Sequence, residues 1–445
     1  MFDITFTLSH EAIALLLFAS MGMLMLTGQR VFAAIGVVGA IAGAFLWGSG
    51  GSSMAFNASI TLMKWFPMIT LPLFIYMGYM LSESGIATDL YRMFHVWLGP
   101  LPGGLAIGTV LLMVLISAMN GLSVAGMAIG ATIAMPEMLR FGYDKRMVSG
   151  IIQGGSSLGI MMPPSVVMVL YGMIARQPVS KLWMAGIIPA LMFAAMLIAY
   201  IIIRCRINPS LAPRLSKEDL ANITPQEKRR LLLNGLLPLV IILSVTGAFL
   251  AGFTSLVESS AVGAFVATVA ALIKKRLTKR VLRVVLVQTL SVSCMFMWIM
   301  MAALCFSAVF DGLGAVHAIK HLFLDSWNLS PWGVLIVMQI SYLFMGMFLD
   351  DTAMLVIVAP LYIPLVKSLG FDPIWYGVLY TITCQVAYMT PPFGYNLFLM
   401  KALAPKGVQL KDIYASIIPM CLIMVTGLIL VMVFPEIAMY LPHHM

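Results

Sequence analysis

The chain has 445 residues, of which 61% are hydrophobic and only 10% are charged, and its mean hydropathy is +1.02. Soluble domains carry about 25% charged residues, so this composition excludes a water-soluble globule and predicts an all-α polytopic membrane protein. The net charge of +9 comes from Lys and Arg residues between the apolar runs, which indicates topology signals and argues against nucleic-acid binding. The five cysteines occur singly, without the spacing of a zinc site or a disulfide framework.

A basic linker at 204–231 separates two sets of apolar runs, most of them long enough for a helix in a bilayer. The first set lies near 10–27, 31–47, 60–84, 104–119, 122–139, 147–175 and 182–203. The second set lies near 232–250, 255–273, 286–311, 331–347, 352–368, 374–403 and 413–434. Equal numbers of runs on the two sides predict a duplicated unit, with a first repeat at 1–203 and a second repeat at 232–445.

The Pro, Gly and Asp residues that interrupt these runs repeat at a fixed spacing of 228 residues (364 minus 136, for example). Pro136, Gly142, Asp144 and Pro163-Pro164 recur as Pro364, Gly370, Asp372 and Pro391-Pro392. Each Pro-Pro pair breaks an apolar run, which predicts two broken helices at 147–175 and 374–403. A repeat whose halves interrupt membrane-length helices is typical of secondary transporters that bind their substrate at the repeat interface.

The distribution of Lys and Arg places the linker and the basic cluster at 274–283 on the cytoplasmic face. Both chain termini are then periplasmic. The runs at 104–139 and 331–368 are expected to be re-entrant hairpins, because each carries Gly and polar groups at its middle. Asp144 is followed by two basic residues whereas Asp372 is not, which is expected for repeats of inverted topology.

One hairpin tip facing one broken helix predicts a cage of oxygen atoms, which suits a hard cation such as Na⁺, while the N-termini of half-helices suit an anionic substrate. The first cage is predicted from Ser117, Asn120, Gly121, Ser123, Gly155, Ser156, Gly159, Pro163 and Ser165. The second is predicted from Gly346, Asp350, Asp351, Thr383, Ala387, Thr390, Pro391 and Asn396. Adjacent carboxylates at membrane depth cost roughly 2.5 to 3.5 kcal/mol each, which favours function, whereas any single Gly or Ser in the broken helices can serve close packing instead.

Several motifs together resemble the large membrane subunit of tripartite ATP-independent periplasmic (TRAP) transporters. They are Gly121-Leu-Ser-Val-Ala125, Pro136-Glu-Met138, Pro163-Pro-Ser165 and Ala185-Gly-Ile-Ile-Pro189 in the first repeat, and Gly346-Met-Phe-Leu-Asp350, Gly370-Phe-Asp-Pro373 and Thr390-Pro-Pro-Phe-Gly394 in the second. The resemblance implies an elevator-type, Na⁺-coupled importer of a small organic anion, a carboxylate or sulfonate, in the bacterial inner membrane. It also implies two or more coupling Na⁺ ions, a small membrane subunit, and a soluble periplasmic substrate-binding protein. Ala387-Tyr388 and Thr383 differ from the residues that this family usually carries at these positions. The difference affects the ligands of the second cage.

Other functions are open to the same sequence. A stand-alone symporter or exchanger of the related sodium/dicarboxylate elevator group would need no binding protein, and a channel is also compatible with broken helices. The chain has no G-x-x-x-x-G-K-[ST] motif, which argues against an ATP-driven pump. It has no H-E-x-x-H motif, and its one match to G-x-S-x-G, at Gly155-Ser-Ser-Leu-Gly159, lies inside an apolar run rather than between a strand and a helix, which argues against an enzyme.

Overall fold

The computed structural model describes residues 9–27, 29–47, 50–121, 123–213, 224–315, 321, 329–347, 349, 351–391, 394–405 and 407–444. Within these ranges the regular structure is helical and contains no β-strand, so the predicted all-α class is confirmed. In the part of the chain described, five helices are long and apolar enough to cross a membrane. They lie at Val179–Ile207, Gln226–Leu250, Leu256–Ile273, Lys279–Gly312 and Leu410–Val433.

Most helices of the first half follow the apolar runs. The helices of this half are α1 (His10–Leu26), α2 (Val31–Leu46), α3 (Gly51–Met63), α4 (Thr70–Glu83), α5 (Ile86–Leu98), α6 (Gly104–Asn120), α7 (Ser123–Ile129), α8 (Met135–Arg140), α9 (Lys145–Ser157), α10 (Val166–Ala175) and α11 (Val179–Ile207). Helix α5 lies between two runs, and α3 begins before the run at 60–84. The run at 60–84 divides between α3 and α4 beside Pro67, which lacks an amide hydrogen. The run at 122–139 contains a π-turn at Gly130–Ala134 just before Pro136, for the same reason.

The second half contains the longer helices and ends in one short amphipathic helix. Its helices are α12 (Pro225–Leu250), α13 (Leu256–Ile273), α14 (Lys279–Gly312), α15 (Pro331–Gly346), α16 (Asp351–Ser368), α17 (Pro373–Met389), α18 (Tyr395–Leu403), α19 (Leu410–Val433) and α20 (Glu436–His443). The sequence interpretation did not include α20, which packs against α11.

The corners before α9 and α17 have the same local geometry. Gly142 and Gly370 adopt φ of +80° and +81°, a left-handed conformation that ends a helix without a Cβ clash. Asp144 Oδ1 then accepts hydrogen bonds from the amides of Arg146 (3.1 Å) and Met147 (2.9 Å). Asp372 Oδ1 accepts equivalent bonds from Ile374 (2.6 Å) and Trp375 (3.1 Å). The repeated Gly and Asp residues therefore have the same roles in both halves, because Gly ends one helix and Asp caps the next.

The helices pack in two groups. We call α1–α5 with α12–α14 the frame helices, and α6–α11 with α15–α20 the central helices. Among the frame helices, α14 packs on α2, α3 and α4, α13 packs on α4, and α12 packs on α5. Small residues permit the closest approach: a Cβ on Gly39 would lie 3.0 Å from the Phe306 backbone. Lipid tails are as apolar as Leu, so helices in a membrane gain their contact energy from such close packing.

Among the central helices, α9 packs on α6 and α19, and α17 packs on α15, α11 and α19. The contact between α9 and α19 begins with ion pairs, because Asp412 Oδ2 lies 2.8 Å from Lys145 Nζ. It continues where a Cβ on Gly150 would lie 2.6 Å from the Ser416 carbonyl oxygen. The first and second halves of the chain are therefore joined directly at this contact.

A buried ion cluster attaches α5 to the end of α13. Asp89 is 7% exposed and accepts hydrogen bonds from Lys274 Nζ (2.7 Å), Arg276 Nη1 (2.9 Å) and Arg276 Nη2 (3.1 Å). Arg276 Nη1 also donates to the Gly85 carbonyl oxygen at 2.9 Å. Helix α5 packs on both α12 and α6, and it precedes the predicted first hairpin. The cluster therefore fixes α5 to the frame helices just before that hairpin begins.

We expect Asp89→Asn to lower the free energy of unfolding by about 2 kcal/mol, because it leaves two cations without their carboxylate in a largely buried place. The matched control is Glu137→Gln, which removes an exposed ion pair to Arg140 (66% exposed) and should change stability by about 0.5 kcal/mol or less. Thermal unfolding of the purified variants in detergent measures both. Equal losses in the two variants would contradict the assignment of Asp89 as a buried anchor.

Candidate functional site

The tip of the first predicted hairpin touches the main chain of the first broken helix. Gly121 lies between α6 and α7 with φ of +65°. A Cβ at this position would lie 2.5 Å from the Pro164 carbonyl oxygen and 2.9 Å from the Val166 amide nitrogen. Only a glycine allows both the left-handed backbone and this approach. The tip and the break therefore form one unit.

The break itself, residues 158–165, separates α9 from α10. After Ser157 the chain makes a 3-10 turn at Leu158–Ile160 and passes through a cis peptide bond between Pro163 and Pro164. Ser165 then caps α10: its Oγ accepts a hydrogen bond from the Met168 amide at 3.2 Å and donates to the Ile160 carbonyl oxygen. The interruption frees main-chain carbonyls from the helical pattern, and such carbonyls line cavities or bind ions when they lie at membrane depth.

The remaining residues of the first predicted cage differ in their surroundings. Ser156, Gly159, Pro163 and Ser165 are buried in or beside the break. Ser156 Oγ donates to the Gln153 carbonyl at 3.1 Å, within its own helix. A Cβ on Gly155 would lie 3.0 Å from Met113 Cβ on α6, so this glycine serves close packing between helices. Ser117 and Asn120 lie in α6, but their side chains are outside the described part of the structure.

The second predicted hairpin meets α17 in a comparable way. A Cβ on Gly346 would lie 2.4 Å from Ala387 Cβ. Asp351 begins α16 and is 7% exposed, and its main-chain carbonyl accepts a hydrogen bond from the Tyr380 hydroxyl. Asp350 lies outside the described residues. This tip is therefore held against α17 from both sides of the turn, by Gly346 before it and Asp351 after it.

Thr383, which departs from the usual pattern, connects α17 to the first arm of the second hairpin. Its hydroxyl is fully buried and contacts Gln339 Oε1 on α15 and the Leu379 carbonyl oxygen (2.9 Å).

The second break is shorter than the first. Helix α17 continues to Met389, and α18 begins at Tyr395. Thr390 Oγ1 donates to the Val386 carbonyl at 2.7 Å, and the Gly394 amide donates to the Thr390 carbonyl at 3.1 Å. Thr390 is half-buried and Pro391 is exposed. Pro392 is outside the described residues.

Residues predicted for separate cages come together in one place. Asn396 Nδ2 of α18 lies 3.5 Å from Ser123 Oγ of α7, and these two helices pack against each other. Both side chains are buried, and Asn396 Oδ1 has no hydrogen-bond partner among the described protein groups. A buried amide oxygen without a partner carries a desolvation cost. It is therefore available to a cation or to a hydrogen-bond donor of a substrate.

The sequence interpretation missed three buried glutamines. Gln153, Gln339 and Gln385 lie in the central helices at 0%, 4% and 0% exposure. Both amide atoms of Gln385 lack a hydrogen-bond partner within the described protein, as does one amide atom of each of the other two. The sequence signal that could have identified these glutamines is an amide side chain inside an apolar run. Among the residues that the structure describes, no three His, Cys, Asp or Glu side chains lie together, so the donors gathered here are amides, hydroxyls and main-chain groups.

We expect Gly121→Ala to lower stability more than Gly252→Ala. Gly252 has φ of +76° and no atom within 4 Å of an added Cβ, so both variants carry the left-handed strain of roughly 1 kcal/mol. Only Gly121→Ala also forces the tip away from Pro164, which adds about 1 to 3 kcal/mol of overpacking. Thermal unfolding in detergent measures the difference. Equal melting temperatures in the two variants would show that the tip does not press on the break.

Comparison with known proteins identifies the family. Residues 14–437 match the family described as the tripartite ATP-independent periplasmic transporter, DctM component. The chain is 31% identical over 381 residues to the C4-dicarboxylate TRAP transporter large permease protein DctM of Pseudomonas aeruginosa, with 85% of this chain and 86% of the relative covered. It is 27% identical over 374 residues to the 2,3-diketo-L-gulonate TRAP transporter large permease protein YiaN of Escherichia coli, with 84% and 85% covered.

Solved structures agree on the fold. The YdaH transporter of Alcanivorax borkumensis is similar with a TM-score of 0.64 at 12% identity, over 97% of this chain and 98% of that one. At this identity the likeness concerns the fold alone. The family match covers nearly the whole sequence and confirms the resemblance seen in its motifs. The chain therefore belongs to the DctM family: it is a multi-pass inner-membrane protein of the type that forms the large membrane subunit of TRAP transporters.

Proposed function

We propose that the protein is the Na⁺-coupled permease subunit of a TRAP transporter, and that it imports a small organic anion, a carboxylate or sulfonate. The observation that carries this proposal is the contact between Gly121 and the main chain at Pro164 and Val166. It joins a hairpin tip to a broken helix inside an apolar protein. Main-chain carbonyls and buried hydroxyl and amide oxygens collect around such a junction, and a hard cation without its water shell prefers those ligands.

The substrate class follows from helix termini and from relatives. Helices α10 and α18 both begin at a break, and the amide groups of a helix N-terminus favour negative charge. The two relatives described above are named for a C4-dicarboxylate and for 2,3-diketo-L-gulonate, which are organic acids. Both lines of support favour a carboxylate or a group that resembles one.

Transport would take place by an elevator movement of the central helices past the frame helices. The junctions at Gly121 and Gly346 lie within the central helices, so ions and substrate would travel with them. The family implies a small membrane subunit and a soluble periplasmic protein that delivers the substrate. The alternative is a stand-alone sodium/dicarboxylate-type symporter or exchanger, which would work without either partner.

We expect Na⁺-dependent uptake into proteoliposomes that contain this protein and its small membrane subunit, provided that the periplasmic binding protein and its substrate are added outside. The binding protein is taken from the same operon and its substrate is identified by thermal-shift screening of organic acids. Uptake without the binding protein would support the stand-alone symporter instead. Uptake that is independent of the Na⁺ gradient would contradict Na⁺ coupling.

The predicted ligands are tested in the same assay. Asn120→Ala and Ser123→Ala each remove a polar side-chain group, and Asp350→Asn and Asp351→Asn each remove a negative charge. Under this proposal those groups are Na⁺ ligands, so each variant should raise the Na⁺ concentration for half-maximal uptake about tenfold. Thr426→Ala is the control, since Thr426 is exposed and its hydroxyl donates to the Leu422 carbonyl of its own helix (2.7 Å). An unchanged Na⁺ dependence in all four variants would refute the two cages.

Inverted topology predicts opposite labelling of two exposed positions that are 228 residues apart (368 minus 140). After the native cysteines are replaced, Arg140→Cys should react with an impermeant thiol reagent only from the cytoplasmic side, and Ser368→Cys only from the periplasmic side. The physical reason is that each position ends a predicted hairpin, and the hairpins enter the membrane from opposite faces. Labelling of both positions from one side would exclude inverted repeats.

A further inference from the structure

The indole of Trp183 contacts two phenylalanines of the frame helices. Trp183 belongs to α11, one of the central helices, and is 1% exposed. Its ring centroid lies 5.5 Å from that of Phe74 on α4, at an interplanar angle of 67°. It also lies 5.2 Å from the ring centroid of Phe249 on α12, at an interplanar angle of 75°. Both contacts are edge-to-face, the arrangement that aromatic quadrupoles favour.

The polar edge of the same indole reaches the first break. Trp183 Nε1 donates a hydrogen bond of 3.2 Å to the main-chain carbonyl of Ser165. Ser165 stands between Pro164 and Val166, the two residues whose main-chain atoms touch Gly121 at the hairpin tip. One side chain therefore contacts the frame helices with its ring and the proposed ion site with its N–H group.

The next turn of α11 covers the break as well. A Cβ on Gly186 would lie 2.5 Å from the Met161 carbonyl oxygen, so α11 approaches the interrupted main chain at both Trp183 and Gly186. Residues three apart on a helix share one face. This face of α11 therefore covers the break. Trp183, on the same face, also contacts the frame helices through its ring.

We propose that Trp183 is a positioning residue that couples the place of the central helices along the frame to the geometry of the first ion site. In the arrangement seen here, Phe74 and Phe249 hold the indole, and the indole holds the Ser165 carbonyl. When the central helices move past α4 and α12, the indole leaves the two phenylalanines and the Ser165–Val166 peptide loses its fixed orientation. The inference rests on the proposed function, because it assumes an ion at the Gly121 junction and a moving central group.

The test is a Na⁺ titration of thermal stability, with choline replacing Na⁺ at constant ionic strength, on the complex with the small membrane subunit in detergent. Trp183→Phe keeps an aromatic ring but loses the N–H donor. It should raise the half-saturating Na⁺ concentration about three- to tenfold, which corresponds to one hydrogen bond. Trp375→Phe is the matched control: Trp375 is 3% exposed and donates to the Val431 carbonyl at 3.0 Å, so it loses the same kind of bond elsewhere. It should leave the Na⁺ titration unchanged.

Coupling is measured by a double-mutant cycle with Phe249→Leu, which keeps the indole N–H but removes one ring contact. Phe249→Leu should weaken Na⁺ binding when Trp183 is present and have no further effect in the Trp183→Phe background. Additive effects, or no effect of Phe249→Leu when Trp183 is present, would overturn the proposal. If Trp183→Phe does not fold, the single variants Phe74→Leu and Phe249→Leu test the proposal instead. Unchanged Na⁺ binding in both of them would overturn the proposed role of Trp183. Absence of Na⁺-dependent stabilisation in the unmodified protein would instead refute the proposed function.

Discussion

The close approach of the Gly121 tip to the main chain at Pro164 is the constraint on which the central helices depend. The turn between α6 and α7 and the break between α9 and α10 meet there. A side chain at position 121 would separate them, since its Cβ would overlap the Pro164 carbonyl oxygen at 2.5 Å. Around this contact, Ser165 caps α10 and bonds back to Ile160, and α11 closes the far side through Trp183. The irregular backbone is thus enclosed by protein, which is the condition for its survival at membrane depth.

The buried amide side chains that lack a protein partner for at least one atom, among the residues described, lie in the central helices. Gln385, Asn396 and Gln153 are fully buried and carry amide atoms with no hydrogen-bond partner in the described protein. Such groups cost free energy unless a ligand, an ion or water satisfies them. In the frame helices the described buried polar atoms without a partner are hydroxyls, those of Tyr91, Thr289 and Ser293. The buried amides near the two breaks therefore distinguish the central helices, which would carry the charged cargo under the proposed function.

The frame is held by different forces. Helices α2 and α14 approach closely through small residues, as at Gly39 and Phe306, and the Asp89 cluster ties α5 to the end of α13. These contacts join helices that are distant in sequence and lie away from both breaks. The frame and the central helices meet through α4 and α5 against α6, through α14 against α16, and through the ring contacts of Trp183. Movement of one group of helices past the other would change the contacts at each of these places.

The sequence by itself determined the features that depend on a few neighbouring residues. Composition required a helical membrane protein, and the repeated Gly and Asp residues marked the corners before α9 and α17, because glycine tolerates a positive φ and aspartate caps the helix that follows. Proline pairs marked where two helices stop, since proline lacks an amide hydrogen. Only the tertiary structure decided which polar groups meet. Ser123 and Asn396 were predicted for separate cages yet lie 3.5 Å apart, and Gly155 packs against Met113. The bond from Trp183 to Ser165 likewise has no local signature, and neither has the amide of Gln385, which lacks a hydrogen-bond partner among the described protein groups. Such contacts depend on how whole helices pack, and packing sums many weak contacts between segments far apart in the chain.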